Sequence, residues 1–520
     1  VNKYFANMGS HYDANENTIR FYTENELESI KEKFTFQRVS EDEVKSAMNS
    51  ITSKAVGSDG ISISMIKAVS PYALGALTHL VNESLQTGEF PESWKISIVH
   101  PLQKVQKPTS IEQLRPISVL PAISKILEKI VVRQLTEFME KERVLSKLQS
   151  GFRRNHSTCT ALVNLFSDLF EARDKGRCST IVMLDYSQAF DSINHSMLLA
   201  KLHYFGFRRS AICWVRSYLE DRLQVTGVGA GLSSPLLKTR GVPQGSCLGP
   251  VLFTLYTADL PGCVAHCAAH AYADDLQLHL SYEPNLVGVA ISEINSDLNS
   301  IKLWSVNHGL KLNGSKCSVL HIATSHVLQL VRENSEQVML DGESLEVKGT
   351  VKSLGVFLDS DLSFTDHVTS VCQRALGRLR GLYRFRSLLP QAAKLQLVNT
   401  LVLSVFYYCY PAYGNSILKE DAERIQKMQN TALRFVYNLS KRDRVSAHRT
   451  AANLMPMAAA CRTLTHCMVH KALTLGEPLY LYERLCFREE VALRGTRQNR
   501  MLHFPKVRLE LGRRGFDYFG

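Results

Sequence analysis

Two adjacent carboxylates stand among strand-forming residues in Ala271-Tyr272-Ala273-Asp274-Asp275-Leu276. Acids rarely occupy such positions without a task. Neighbouring side chains on a strand point to opposite faces, so the two Asp act as one clamp only if they lie at a hairpin turn. Otherwise one faces a site and the other supports it. A third carboxylate ends another apolar run, Met183-Leu184-Asp185-Tyr186-Ser187-Gln188-Ala189-Phe190-Asp191. If the two strands are neighbours, Asp185 and Asp274 converge. Hard oxygen donors of this kind suit Mg²⁺, which takes one or two carboxylates and completes its shell with substrate phosphates. Two such ions activate a 3′ hydroxyl and stabilise a leaving pyrophosphate.

The elements that must position these acids can be read from apolar spacing. Ile181-Val182-Met183-Leu184 reads as a strand buried on both faces, followed by helices over 196–204 and 211–220. Strand-like segments lie near 222–228 and 235–240, and Gly241-Val242-Pro243-Gln244-Gly245 is a loop by composition. Helical spacing resumes over 248–256, residues 271–280 alternate as a hairpin does, and 286–306 is an amphipathic helix. Upstream, helices are expected over 41–51 and 64–85, a strand over 95–102 and a helix over 123–139, with 108–121 as loop. Beyond Val351 the pattern turns helical, with Arg-rich stretches at 374–386, 434–449 and 484–514, and a domain boundary is placed near 365.

A chain of 520 residues has room for three or four domains or subdomains. With 45% hydrophobic and 21% charged residues it has a globular composition, and no apolar run reaches the ~18–20 residues of a membrane span. A formal net charge of +12 fits a polyanionic partner, although many basic proteins bind none. Twelve Cys without any C-x-x-C pair give neither a disulfide framework nor an orderly zinc site, so reduced, intracellular cysteines are expected. Cys461, His466, Cys467 and His470 form the nearest approach to a metal cluster, with helix packing as the alternative. The chain starts at Val1 without a signal-peptide layout, and is expected to be an internal piece of something longer.

Asp185 with Phe190 and Asp191, then Gly241-Val242-Pro243-Gln244-Gly245-Ser246 with Leu248-Gly249-Pro250, then Tyr272-Ala273-Asp274-Asp275, resemble in order the first three palm motifs of reverse transcriptases. Gly309-Leu310-Lys311-Leu312-Asn313 with Lys316 looks like the fourth, and Val351-Lys352-Ser353-Leu354-Gly355-Val356 like the fifth. Upstream, Ser58-Asp59-Gly60, Leu114-Arg115-Pro116-Ile117-Ser118, Lys125-Ile126-Leu127-Glu128-Lys129 and Gln149-Ser150-Gly151-Phe152-Arg153 are similar to the extended fingers of non-LTR retrotransposon enzymes. Arg424-Ile425-Gln426-Lys427-Met428-Gln429-Asn430 with Leu433-Arg434-Phe435 resembles their thumb. Tyr186 stands where that family more often has Phe or Leu, and Gln188 where it often has Lys.

The resemblance implies an α+β right-hand polymerase fold, with fingers and a palm built on an antiparallel sheet and a helical thumb. The expected divisions are a linker over 1–40, fingers over 41–180, palm over 181–364, thumb over 365–450 and a basic segment over 451–520. It implies RNA-directed DNA synthesis by two-metal nucleotidyl transfer, with an RNA template, a DNA primer and deoxynucleoside triphosphates as partners. Asp185 and Asp274 become Mg²⁺ ligands, with Mn²⁺ as a substitute, Asp275 supports them, and Tyr186 is assigned to metal and nucleotide. Phe190 becomes a gate against the 2′ hydroxyl, and Gln244 with Gly245 meets template and nucleotide. Lys316 is expected as the general acid for pyrophosphate, with an exposed loop lysine as the alternative. Arg153, Arg115 and Lys104 are the triphosphate contacts from the fingers. Gly355 sits where the primer end is gripped, and Arg374, Arg378, Arg380 and Arg384 follow the duplex backbone. A ribonucleoprotein in cytoplasm and nucleus is expected. Two alternatives stay open: a non-catalytic nucleic-acid-binding remnant, and an RNA-templated RNA polymerase, which usually has Gly where this chain has Ala273.

Overall fold

The computed structural model describes residues 1–9, 12–229, 231–333, 336–491 and 501–519. The chain forms two interleaved compact units. One comprises Val1–Phe152, Asp185–Ala265 and Leu298–Asn313, the other Arg153–Leu184, His266–Asp297 and Gly314–Gly520. Both mix helices and sheet, an α+β architecture.

In the first unit the strand Ile96–Gln103 pairs antiparallel with Leu114–Val119 and parallel with Arg222–Val228, which also carries Leu236–Lys238. The stretch 108–121 expected to be loop therefore contains an edge strand. Proline hides it: Pro116 lies opposite Pro101, and an edge strand tolerates a residue that cannot donate to a ladder. The parallel pairing to Arg222–Val228 involves only Ile96 to Val99, so Pro101 disturbs no central ladder. Helices Ile63–Thr87, Ala122–Lys141, His195–Tyr204, Arg209–Leu219 and Gly249–Tyr256 belong to the unit, close to the expected spans. Within the first forty residues Phe5 and Phe34 are buried, and Asn2 donates to the carbonyls of Gln224 and Ser234.

The second unit holds a five-stranded sheet in the order Glu346–Val347, Ser318–Ile322, Cys178–Leu184, Asp275–Tyr282, Ala268–Tyr272. Cys178–Leu184 is central and almost wholly buried, which is why Ile181 to Leu184 form an apolar run without alternation. It pairs antiparallel with both neighbours. A hairpin of Thr350–Ser353 and Val356–Asp359 precedes the helix Thr365–Tyr383. His367, Val368, Val371, Ala375 and Leu379 give that helix one buried face. Of the basic stretch 484–514, residues 492–500 lie outside the described residues.

Candidate active site

Strand register brings three of the singled-out positions to one end of the second unit's sheet. Leu184, the last residue of the central strand, lies opposite Leu276, and Met183 lies opposite Ser318. Asp275 opens the strand beside Leu276, Tyr272 faces it across the hairpin, and Ala273-Asp274 is the two-residue turn between them. Asp274 thus sits in the hairpin turn and Asp275 flanks it as the first residue of the strand. Asp274 is half-buried and Asp275 exposed. Lys316 is exposed in a short 3-10 turn, Gly314–Lys316, just before Ser318. Ala273 has φ +59°, a left-handed conformation that costs a side-chain-bearing residue roughly 1–2 kcal/mol. Such outliers cluster at functional sites.

The central strand delivers the chain into Asp185, the first residue of the other unit's second segment. There the Asn313 N–H donates to the Asp185 carbonyl at 2.8 Å, the Ser187 N–H donates to the Lys311 carbonyl at 2.8 Å, and Tyr186 bridges Leu312. This lacing fixes the backbone and leaves a half-buried carboxylate at Asp185. Tyr186 is different. Its ring is buried and its hydroxyl hydrogen-bonds the Ser305 hydroxyl at 2.9 Å, so any contact it makes to metal or nucleotide must come from its backbone.

Phe190 is half-buried, stacked on Phe253 with centroids 4.6 Å apart and edge-on to Phe152 at 6.2 Å. Next to it the Asp191 carboxylate is almost fully buried and holds two donors: the Lys238 ammonium at 2.7 Å and the Gln244 side-chain amide. The loop that carries Gln244 is tied down along its length. Val242 donates to the Phe190 carbonyl at 3.0 Å, Gly241 to the Ile193 carbonyl at 2.8 Å, and the Ser118 N–H to the Gln244 carbonyl at 2.7 Å. Gly241, at φ +74°, has room only for hydrogen, since a Cβ would stand 2.6 Å from the Asp191 Cα. Gly245, at φ +124°, meets the Ser118 carbonyl in the same way. These glycines are explained by protein backbone coming close.

Beyond the loop, the fully buried Glu128 accepts the N–H groups of Cys247 (2.6 Å) and Leu248 (3.2 Å) at the start of the helix Gly249–Tyr256. Burial raises the Glu128 pKa above the ordinary carboxyl range, opposed by Arg222 and by those two amides. Sequence reasoning missed Glu128, Lys238 and the pairing of Asp191 with Gln244. The only available signal was the presence of Glu128 and Asp191 inside the quoted motifs.

Other assigned residues lie at the surface or are partly engaged. Arg115 is exposed on the edge strand opposite Leu102, and the exposed Lys104 donates to the Glu112 carbonyl at 2.7 Å. Arg153 is half-buried. Leu354-Gly355 forms the turn of its hairpin with both φ positive, +43° and +89°. Arg374, Arg378, Arg380 and Arg384 are all exposed, but Arg378 donates to the Leu401 carbonyl at 2.8 Å. Arg374 with Arg378 and Arg380 with Arg384 each lie one turn apart, so they form two pairs on different faces. The Cys461 thiol packs against Asn415 and Tyr410 on the helix Met457–Leu475, and Cys467 is exposed. Among the described residues no three His, Cys, Asp or Glu side chains group as a metal cage, and no helix is long and apolar enough to cross a membrane.

Residues 105–358 match the family described as reverse transcriptase (RNA-dependent DNA polymerase). The chain is 30% identical over 413 residues to the probable RNA-directed DNA polymerase from transposon BS of Drosophila melanogaster, covering 76% of this chain and 44% of that protein. It is 28% identical to the RNA-directed DNA polymerase from mobile element jockey of the same organism, covering 73% and 42%. With the Pol polyprotein of the type-1 retrotransposable element R2 of Popillia japonica it shares 24% identity, covering 56% and 40%. The chain therefore spans less than half the length of these relatives. Residues 105–358 carry a reverse transcriptase domain related to those of non-LTR retrotransposons.

Proposed function

We propose that this chain extends a DNA primer on an RNA template, with fingers, palm and thumb following one another over 41–180, 181–364 and 365–450. The observation that carries this reading is the strand register. It puts the Asp274 turn at the end of the sheet where the central strand runs on into Asp185. The donor chemistry fits a hard cation: two partly exposed carboxylates with no sulfur or imidazole beside them in sequence, which suits an ion that takes its remaining ligands from substrate phosphates. Asp185 and Asp274 would hold two Mg²⁺ ions. When bound, these supply activation of the primer 3′ hydroxyl and charge neutralisation on the triphosphate.

The residues of the chain do the rest. Phe190 fills the space of a 2′ hydroxyl, held in place by Phe253 behind it. Gln244 meets the nascent pair from a loop whose backbone cannot drift. Lys316 delivers a proton to pyrophosphate, while Arg115, Arg153 and Lys104 meet the triphosphate. The test is Mg²⁺-dependent primer extension on matched RNA and DNA templates, with deoxy- and ribonucleotides compared. Asp274→Ala is expected to abolish extension while template binding stays within a few-fold. A wild-type protein that binds template but extends no primer with either Mg²⁺ or Mn²⁺ is a non-catalytic binder, and the reading falls.

A further inference from the structure

Resting on the polymerase reading, we propose that Asp191 is a positioning residue: it fixes which end of the Gln244 amide faces the nascent base pair. An ionised carboxylate only accepts hydrogen bonds, whereas a glutamine amide has a donor end and an acceptor end that exchange by a half-turn about one bond. Because the Gln244 amide meets the Asp191 carboxylate, its NH₂ must point there. The carbonyl oxygen is then the end presented to ligand. Gln244 thereby presents its acceptor end, matched to a hydroxyl or amino donor on the nucleotide or template and poorly matched to a phosphate oxygen, with only its second N–H left to donate.

Four contacts make this orientation rigid. The Asp191 side chain is 3% exposed and cannot swing into solvent. Its second oxygen is held by Lys238, which also reaches the Phe5 carbonyl at 3.3 Å. The Gln244 backbone is pinned by the Ser118 N–H, and Gly241 presses on the Asp191 backbone with no space for a side chain. Residues 191 and 244 are 53 apart in sequence and locked at both main chain and side chain.

The test is a double-mutant cycle read in steady-state primer extension. Asp191→Asn lets the amide turn over, and is expected to raise the deoxynucleotide KM roughly ten- to a hundredfold, as for loss of a hydrogen bond to a charged group, with a smaller change in kcat. In a Gln244→Ala background the same substitution should change KM less than about twofold. A polarity swap provides a second arm that does not depend on the stability of the single variant. Gln244→Glu alone sets two carboxylates against each other. Asp191→Asn with Gln244→Glu restores a donor facing an acceptor, and should recover KM to within a few-fold of wild type. Additive losses in the cycle together with no recovery in the swap would make Asp191 a structural acid and overturn the proposal. Wild-type extension on RNA is measured first, so a failure of the polymerase reading shows there and not in the cycle.

Discussion

Tyr408 donates its hydroxyl to the Leu354 carbonyl at 2.7 Å and lays its ring over the neighbouring Gly355, where an added Cβ would stand 3.0 Å from a ring carbon. The turn assigned to the primer end is thus braced by the helical region that follows it. Gly355→Ala combines a positive φ with that clash and is expected to destabilise by about 1–3 kcal/mol. Tyr408→Phe loses only the hydrogen bond, about 1 kcal/mol. Urea melts of both variants check the order, and products that shorten in the same order would tie the brace to primer holding.

Ala273 spends its left-handed conformation on placing Asp274 in a two-residue turn. Ala273→Gly relieves the strain but adds unfolded-state freedom, so a net gain of about 0.5–1 kcal/mol is expected. Chemical denaturation decides it. A loss of stability would mean that the Cβ packs productively and that the turn is not strained.

What could be read in advance follows from how local each signal is. The Asp274 hairpin and the strand before Asp185 announce themselves through alternation and an apolar run within ten residues. The edge strand at Leu114–Val119 does not, because Pro116 imitates a loop. Glu128 looks like an exposed acid on an amphipathic helix, and only tertiary packing reveals it as the cap of a distant helix. The Asp191–Gln244 pair joins residues that no periodicity connects, and Arg378 looks free until the Leu401 carbonyl is seen beside it.

Stability should fall in acid for a stated reason. Burial, followed by the Lys201 charge, lowers His308 from 6.5 to about 3. Burial, with Arg374 and Lys352 behind it, lowers His367 to about 4, and burial with His279 lowers His270 to about 4. The folded chain keeps these imidazoles neutral while the unfolded chain takes up protons below about pH 6.5. The stability they contribute is therefore complete above that pH and is lost as pH falls toward 4 and 3. Each fully linked histidine contributes a slope of about 1.4 kcal/mol per pH unit. Denaturation free energies between pH 7 and 4 check the slope, and His308→Asn should reduce it by about one histidine. A flat profile is the contrary result.

Phe190 has a packing role and a proposed selective one, and the two separate experimentally. Its ring stacks on Phe253, so Phe190→Val should cost about 1–3 kcal/mol of stability. If the ring also occupies the space of the 2′ hydroxyl, the same variant raises ribonucleotide use relative to deoxyribonucleotide by roughly tenfold or more. Unchanged sugar selectivity with reduced stability would return Phe190 to the core.

The arginines of the helix Thr365–Tyr383 give a salt-dependence prediction that the geometry sharpens. Each phosphate neutralised by a side chain contributes about 0.9 to the log–log slope of binding against salt on B-DNA, and a hybrid duplex should behave broadly alike. Arg374 and Arg384 are exposed and engage no carbonyl among the described residues, whereas Arg378 already donates to Leu401. Arg374→Gln with Arg384→Gln is therefore expected to flatten the slope by roughly one to two units, depending on whether one face or both meet the duplex. Adding Arg378→Gln should change the slope by less than a full contact and act mainly on stability, because it frees a carbonyl of the following segment. Product length should shorten before single-nucleotide addition fails, since Asp185 and Asp274 are untouched. A slope and product length equal to wild type in the double variant would leave these arginines as a solvated helix face.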